Sequence, residues 1–154
     1  MPSRFGIDLA PFVDPDRVLL VEHALGKAAL LARLIERTSS HPAVTDPAAF
    51  TKAIYDREEV TSTGIGTGVA VPHARLPSIR GFALSLAVAP YGIAYGATDD
   101  RPVHVVVMLA APDHDHQHYL KVLASVALRL KQPGLVDRMR QLTDPMAITA
   151  TFLG

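Results

Sequence analysis

Residues 103–110 read Val-His-Val-Val-Val-Met-Leu-Ala, an almost unbroken β-branched and apolar run. A strand of that composition offers no polar face to water, so it belongs in the middle of a sheet covered on both sides. Helical periodicity brackets it and supplies the cover. Upstream, Leu30, Leu31, Leu34 and Ile35 share one stripe of a helix over 25–38, with Lys27, Arg33, Glu36 and Arg37 mostly outside the stripe. Asp46-Pro47 is an N-cap followed by a first-turn proline, and Phe50, Ala53 and Ile54 give that second helix its buried face. Downstream, Pro112 closes the strand and 113–118 opens a long helix whose core face is Tyr119, Val122, Leu123, Val126, Ala127 and Leu130. Gln132-Pro133-Gly134 breaks it. A short helix then carries Leu135, Val136, Met139 and Leu142, and Asp144-Pro145 caps a last one. Further strands are expected over 17–21 and 82–89, after a lead-in over 7–12 and a turn at Asp14-Pro15-Asp16, with a loop over 92–100. The interleaving predicts an α/β fold with a mixed β-sheet.

A chain of 154 residues, 49% hydrophobic and 19% charged, fits one domain over 1–154 with a proper core. Its formal net charge of zero leaves no electrostatic footprint for nucleic acid or an anionic membrane. Without cysteine, disulfide scaffolds, thiolate catalysis and cysteine-rich zinc sites are excluded. Residues 1–8 lack the apolar core of a signal peptide, and the longest clear apolar run, 105–111, is far short of a membrane span. A cytoplasmic protein without membrane insertion is the expectation.

The chemistry concentrates in 56–79. Gly64, Gly66 and Gly68 alternate, then Val69-Ala70-Val71 runs into Pro72 and His73. Glycine brings backbone N–H groups close to a bound anion, and Pro72 pushes Val71 into an extended conformation. His73 is therefore expected at the end of a short buried strand, beside a loop with exposed amides. The lysine of a Walker loop is missing, and the glycines precede the strand where a dinucleotide loop has them after it. What remains is an imidazole, in good part neutral at pH 7 and so nucleophilic, or else a histidine hydrogen-bonded for structure. From position alone, Arg57 is a cation at a helix C-terminus, favoured by the helix dipole.

Arg57-Glu58, Ser62-Thr63-Gly64-Ile65-Gly66 and Gly68-Val69-Ala70-Val71-Pro72-His73-Ala74 together resemble the active-site signature of phosphotransferase-system enzyme IIA domains, fructose/mannitol and nitrogen-regulatory type. The resemblance covers essentially the whole chain and implies a three-layer α/β/α sandwich. It implies that His73 accepts a phosphoryl group from an HPr-like phosphocarrier and passes it to a IIB domain or holds it as a regulatory mark. It also implies that Arg57 neutralises phosphate and that Thr63, Gly64, Gly66 and Gly68 support it. No metal or organic cofactor is implied. Asp99 and Arg101-Pro102-Val103 resemble the family's turn into the central strand and are structural in this reading. The second ring nitrogen of His73 needs an acceptor to fix the tautomer, and a backbone carbonyl is the expected one.

One position departs from the family pattern. A second histidine usually opens the long helix there, where this sequence has Tyr119. His118 stands one residue early, about 100° round the helix, whereas His116 lies one turn before Tyr119 on the same face. His116, His118 or the Tyr119 hydroxyl is the candidate replacement. His114, His116 and His118 share a face only on a strand, so a metal site is the lesser reading and a solvated helix start the greater. His104 is taken as structural. His23 and His41 have no evident partner.

The resulting expectation is a IIA-type phosphocarrier. The nitrogen-regulatory branch is favoured because no sugar-channel domain accompanies the chain. The rival is a regulatory module that binds a transporter or sensor kinase with weak or vestigial phosphorylation. A metal-dependent hydrolase using His114, His116 and His118 is the remotest alternative.

Overall fold

A computed structural model describes residues 6–23, 25–60, 64–96 and 101–154. The strands are β1 (Val18–Leu20), β2 (Gly64–Gly66), β3 (Val69–Ala70), β4 (His73–Leu76), β5 (Ala83–Ile93) and β6 (Val103–Pro112). The helices are α1 (Lys27–Ser39), α2 (Pro47–Val60), α3 (His116–Leu130), α4 (Leu135–Arg140) and α5 (Pro145–Leu153). The sheet runs β1-β5-β6-β3-β2, with β4 also paired to β6. β6 is antiparallel to β5 and parallel to both β3 and β4, so the sheet is mixed and β6 lies inside it. The fold is the expected three-layer α/β/α sandwich.

Side-chain alternation builds a different core on each face of the sheet. Towards α1 and α2 the strands present small residues, Ala70, Ala74, Ala83, Ala87 and Ala110, which let Leu30, Leu34, Phe50 and Ile54 come down close. Towards α3, α4 and α5 they present Leu84, Leu86, Val88, Val105, Val107 and Leu109, met by Val122, Val126, Leu135, Met139, Ile148 and Phe152. Each large aliphatic or aromatic side chain buried this way contributes about 1.5–3 kcal/mol. The caps are the expected ones: Asp46 accepts from the Ala49 amide at 3.1 Å, and Asp144 from the Met146 amide at 3.2 Å. Among the described residues no helix is long and apolar enough to cross a membrane.

Three expectations need correction. His73 opens a strand and does not end one. β3 stops at Ala70, and Pro72, which has no N–H to give, interrupts the ladder while its carbonyl accepts from the Leu109 amide at 2.9 Å. The chain then resumes along β6 as β4, from His73 opposite Leu109 to Leu76 opposite Pro112. Residues 74–79, whose proline and mixed polarity read as a connector in the sequence, thus begin as a strand. Second, β5 continues through Pro90, Tyr91 and Gly92 to Ile93, because a register shift between Val88 and Ile93 absorbs the proline and glycine. Third, Gly64 and Gly66 belong to β2, in an antiparallel hairpin with β3 and not in an open loop. Its turn residues, Thr67 and Gly68, have φ of 57° and 82°, the positive values a tight primed hairpin turn demands. Thr63 and Asp99 lie outside the described residues.

Candidate functional site

β4 alternates with period two. Ala74 and Leu76 join the α1/α2 core, so His73 and Arg75 point to the other face, beneath the start of α3. His73 Nδ1 lies 2.7 Å from the Val71 carbonyl oxygen. A carbonyl can only accept, so Nδ1 carries the proton and Nε2 keeps its lone pair. Burial pushes the His73 pKa below the usual imidazole range. The Val71 hydrogen bond and the Glu58 charge oppose that shift, while the Arg57 guanidinium reinforces it. The ring is thus held neutral, in one tautomer, with a nucleophilic nitrogen available. The contact to the backbone carbonyl sets the tautomer and frees Nε2, while burial keeps the ring neutral.

The start of α3 covers the site. Asp115 caps it by accepting from the His118 amide at 3.0 Å, which fixes where the first turn sits. Tyr119, 7% exposed, brings its ring centroid to 6.2 Å from that of His73. The Arg75 guanidinium carbon stands 4.3 Å over the other ring, that of Tyr119, a cation–π contact. Arg75 Nη1 donates to His116 Nδ1 at 2.9 Å, and Nη2 to the Asp113 carbonyl at 3.3 Å. Burial raises the Tyr119 hydroxyl above its usual range, against the pull of Arg57 and Arg75, so it stays protonated as a donor. Arg57, exposed in the last turn of α2, weighs on both His73 and Tyr119. Its neighbour Glu58 anchors that turn, with Oε2 2.7 Å from Lys27 Nζ and Oε1 accepting from the Tyr95 hydroxyl at 3.2 Å.

The structure therefore brings together His73, Arg57, Tyr119 and His116. His118 does not join them. Its ring packs edge-on against Phe82 at 4.7 Å, on the side of the helix that the 100° offset predicts. Gly66 and Gly68 are also apart. Gly66 sits opposite Val69, and the Gly68 carbonyl accepts from the amides of His104 and Val105, whereas His73 pairs with Leu109. Four ladder positions separate those points, about 13 Å along β6. Gly64, opposite Ala70, lies at the end of the hairpin nearer His73. Because His116 turns to Arg75 and His118 to Phe82, the histidine run does not converge. Among the described residues, no group of three or more His, Cys, Asp or Glu side chains is placed to hold a metal ion.

Arg75 was not expected in the site. Its signal was available in His-Ala-Arg-Leu, where polar and apolar residues alternate as in a half-buried strand.

A three-layer sandwich here presents one oriented imidazole to a cationic, aromatic-lidded surface. Comparison with known proteins identifies the class to which the fold belongs. The sequence model described as "Phosphoenolpyruvate-dependent sugar phosphotransferase system, EIIA 2" matches residues 11–153, and the chain belongs to this family. A nitrogen regulatory protein of Bradyrhizobium diazoefficiens is 27% identical over 140 residues, covering 91% of each protein. The fructose-specific EIIABC component of Bacillus subtilis is 34% identical over 105 residues, 68% of this chain, but the matched part is only 16% of that protein. The crystal structure of nitrogen regulatory protein IIA-Ntr from Neisseria meningitidis superposes with a TM-score of 0.83 at 20% identity, covering 94% of this chain and 98% of that one. Membership carries the family's general role, that of a phosphoryl carrier in the phosphotransferase system.

Proposed function

We propose that His73 is the phosphoryl acceptor of this carrier, and that its Nε2 is the reacting atom. The observation that carries this is the Nδ1 contact to the Val71 carbonyl at 2.7 Å, which leaves Nε2 as the nucleophile. The Nε2 lone pair attacks the phosphorus of a donor phosphohistidine in line. A new N–P bond forms as the donor's N–P bond breaks, and the donor imidazole leaves with the electron pair. The proton stays on Nδ1, donated to the Val71 carbonyl, which spreads the positive charge gained by the ring. Arg57 supplies charge to the phosphoryl oxygens, and the Tyr119 hydroxyl supplies a neutral donor. The reverse sequence discharges the group, and no cofactor enters the scheme.

The donor is an HPr-like phosphocarrier and the recipient a IIB domain, or a transporter or kinase under regulation. The nitrogen-regulatory branch is favoured by a relative matched over 91% of both lengths. The protein acts in the cytoplasm as one domain over 1–154. Intact-mass spectrometry after incubation with phosphoenolpyruvate, enzyme I and an HPr-type carrier tests the proposal. The expected result is an acid-labile gain of one phosphate in the wild type and none in His73→Ala. No gain with several competent carriers overturns it in favour of a regulatory binding module.

A further inference from the structure

The carrier scheme leaves one side chain unexplained. Arg75 is held from three directions, by the Tyr119 ring, by His116 Nδ1 and by the Asp113 carbonyl. Yet its Nε is buried and has no hydrogen-bond acceptor among the described residues. A buried guanidinium N–H without an acceptor is an unfavourable arrangement, worse for a charged group than for an amide. Two of the three holds are also replaceable. His116 is exposed and can turn to water, and the 3.3 Å bond to Asp113 is long. The ring contact is different, since a guanidinium can slide over an aromatic face without leaving it. His73 and Arg75 are alternate residues on one face of β4, so their Cβ atoms stand about 7 Å apart, well within the reach of an arginine.

We propose that Arg75 is a second phosphate-contacting residue, held by Tyr119 and His116 while His73 is a plain imidazole and drawn onto the phosphoryl oxygens once His73 is charged. The move gives Nε and a terminal N–H a bidentate acceptor, the geometry a guanidinium matches best. It also releases His116 Nδ1 at the exposed start of α3. The charge state of His73 is thereby displayed on the surface, where a partner protein can read it. This inference rests on the carrier reading.

The test uses the whole chain, charged through enzyme I and an HPr-type carrier. Two quantities are read: the phosphoryl-transfer equilibrium with the carrier, and the ¹⁵N shift of His116 Nδ1. In Arg75→Gln the equilibrium is expected to move about tenfold to hundredfold towards the carrier, the value of one or two charge-assisted hydrogen bonds. Arg75→Lys, which keeps the charge but not the fork, recovers part of that shift. In the wild type the His116 Nδ1 resonance moves, on charging, to the position it holds in Arg75→Gln, and in that variant charging leaves it still. An unchanged equilibrium in Arg75→Gln, or a His116 resonance indifferent to charging in the wild type, overturns the proposal. A wild type that gains no phosphate on His73 fails the carrier reading itself, a separate result.

Discussion

Two half-buried histidines lie along the central strand, and they make the same hydrogen bond. His73, opposite Leu109, bonds the Val71 carbonyl through Nδ1 at 2.7 Å, and His104, near the other end of β6, bonds the Ala89 carbonyl through Nδ1 at 2.9 Å. The difference lies at the opposite edge of each ring. His73 faces an aromatic lid and two arginines. In His104, Cε1 lies 3.1 Å from where a Cβ on Gly92 would stand, and Cδ2 lies 3.6 Å from one on Gly68, so its Nε2 edge sits between glycine backbones. That ring also fills the wall of a cavity of about 450 Å³ with Lys131 and Arg140, whose Nη2 is committed to the Pro90 carbonyl at 3.0 Å. A carbonyl bond to Nδ1 thus fixes a tautomer in either place. Convergent cations and an approachable Nε2 are what set His73 apart from His104.

Exchanging the two histidines is the sharpest way to break this comparison. His73→Gln is expected to abolish acid-labile phosphate, and His104→Gln to leave charging within twofold of wild type, both followed by intact mass. Loss of charging in His104→Gln with the fold retained would show that the far end of β6 takes part. The next effect is on stability. Gly92 has φ of 85° and a Cβ there would meet Pro102 Cβ at 2.7 Å, so a side chain brings both strain and a clash. Gly92→Ala should lower the urea-unfolding free energy by about 2–4 kcal/mol while the surviving folded protein still charges normally.

Arg57→Ala should slow charging about tenfold to hundredfold, as loss of a charged phosphate contact does. It also moves the pH dependence in a defined direction. Burial, helped by Arg57, holds the His73 pKa low, so the neutral nucleophile persists below the ordinary imidazole range. Acceptance should therefore fall only as pH drops through that depressed value. Removing Arg57 removes a lowering influence and shifts the fall to higher pH, whereas Glu58→Gln removes a raising one and shifts it lower. Stopped-flow transfer rates between pH 5 and 8 decide the signs. The smallest effect expected is that of Tyr119→Phe, a few-fold loss, because the hydroxyl is a neutral donor and the ring that carries Arg75 remains.

The layers, the capped helices and the central strand were legible in the sequence because periodicity and caps are local properties. The run ending at His73 carried the family resemblance for the same reason. What was not legible depends on partners distant in sequence. β4 hid because Pro72 and Pro77 frame a short segment containing a histidine and an arginine, which reads as a connector until β6 is beside it. Pro90 and Gly92 hid the end of β5, since the register shift that tolerates them is set by pairing with β6. The alternating glycines suggested one phosphate loop, but hairpin register carries Gly66 and Gly68 away along the strand. His116 and His118 were equal candidates until Phe82 and Arg75 separated them.

The central claim is that the Val71 carbonyl selects Nε2 of His73 as the phosphoryl acceptor, and ¹⁵N-correlated NMR of the imidazoles in the charged protein tests it most directly. The account predicts phosphorus on Nε2 of His73, with a proton retained on Nδ1 and slowed in its exchange by the carbonyl. Phosphorus on Nδ1, or on any other histidine, would contradict it.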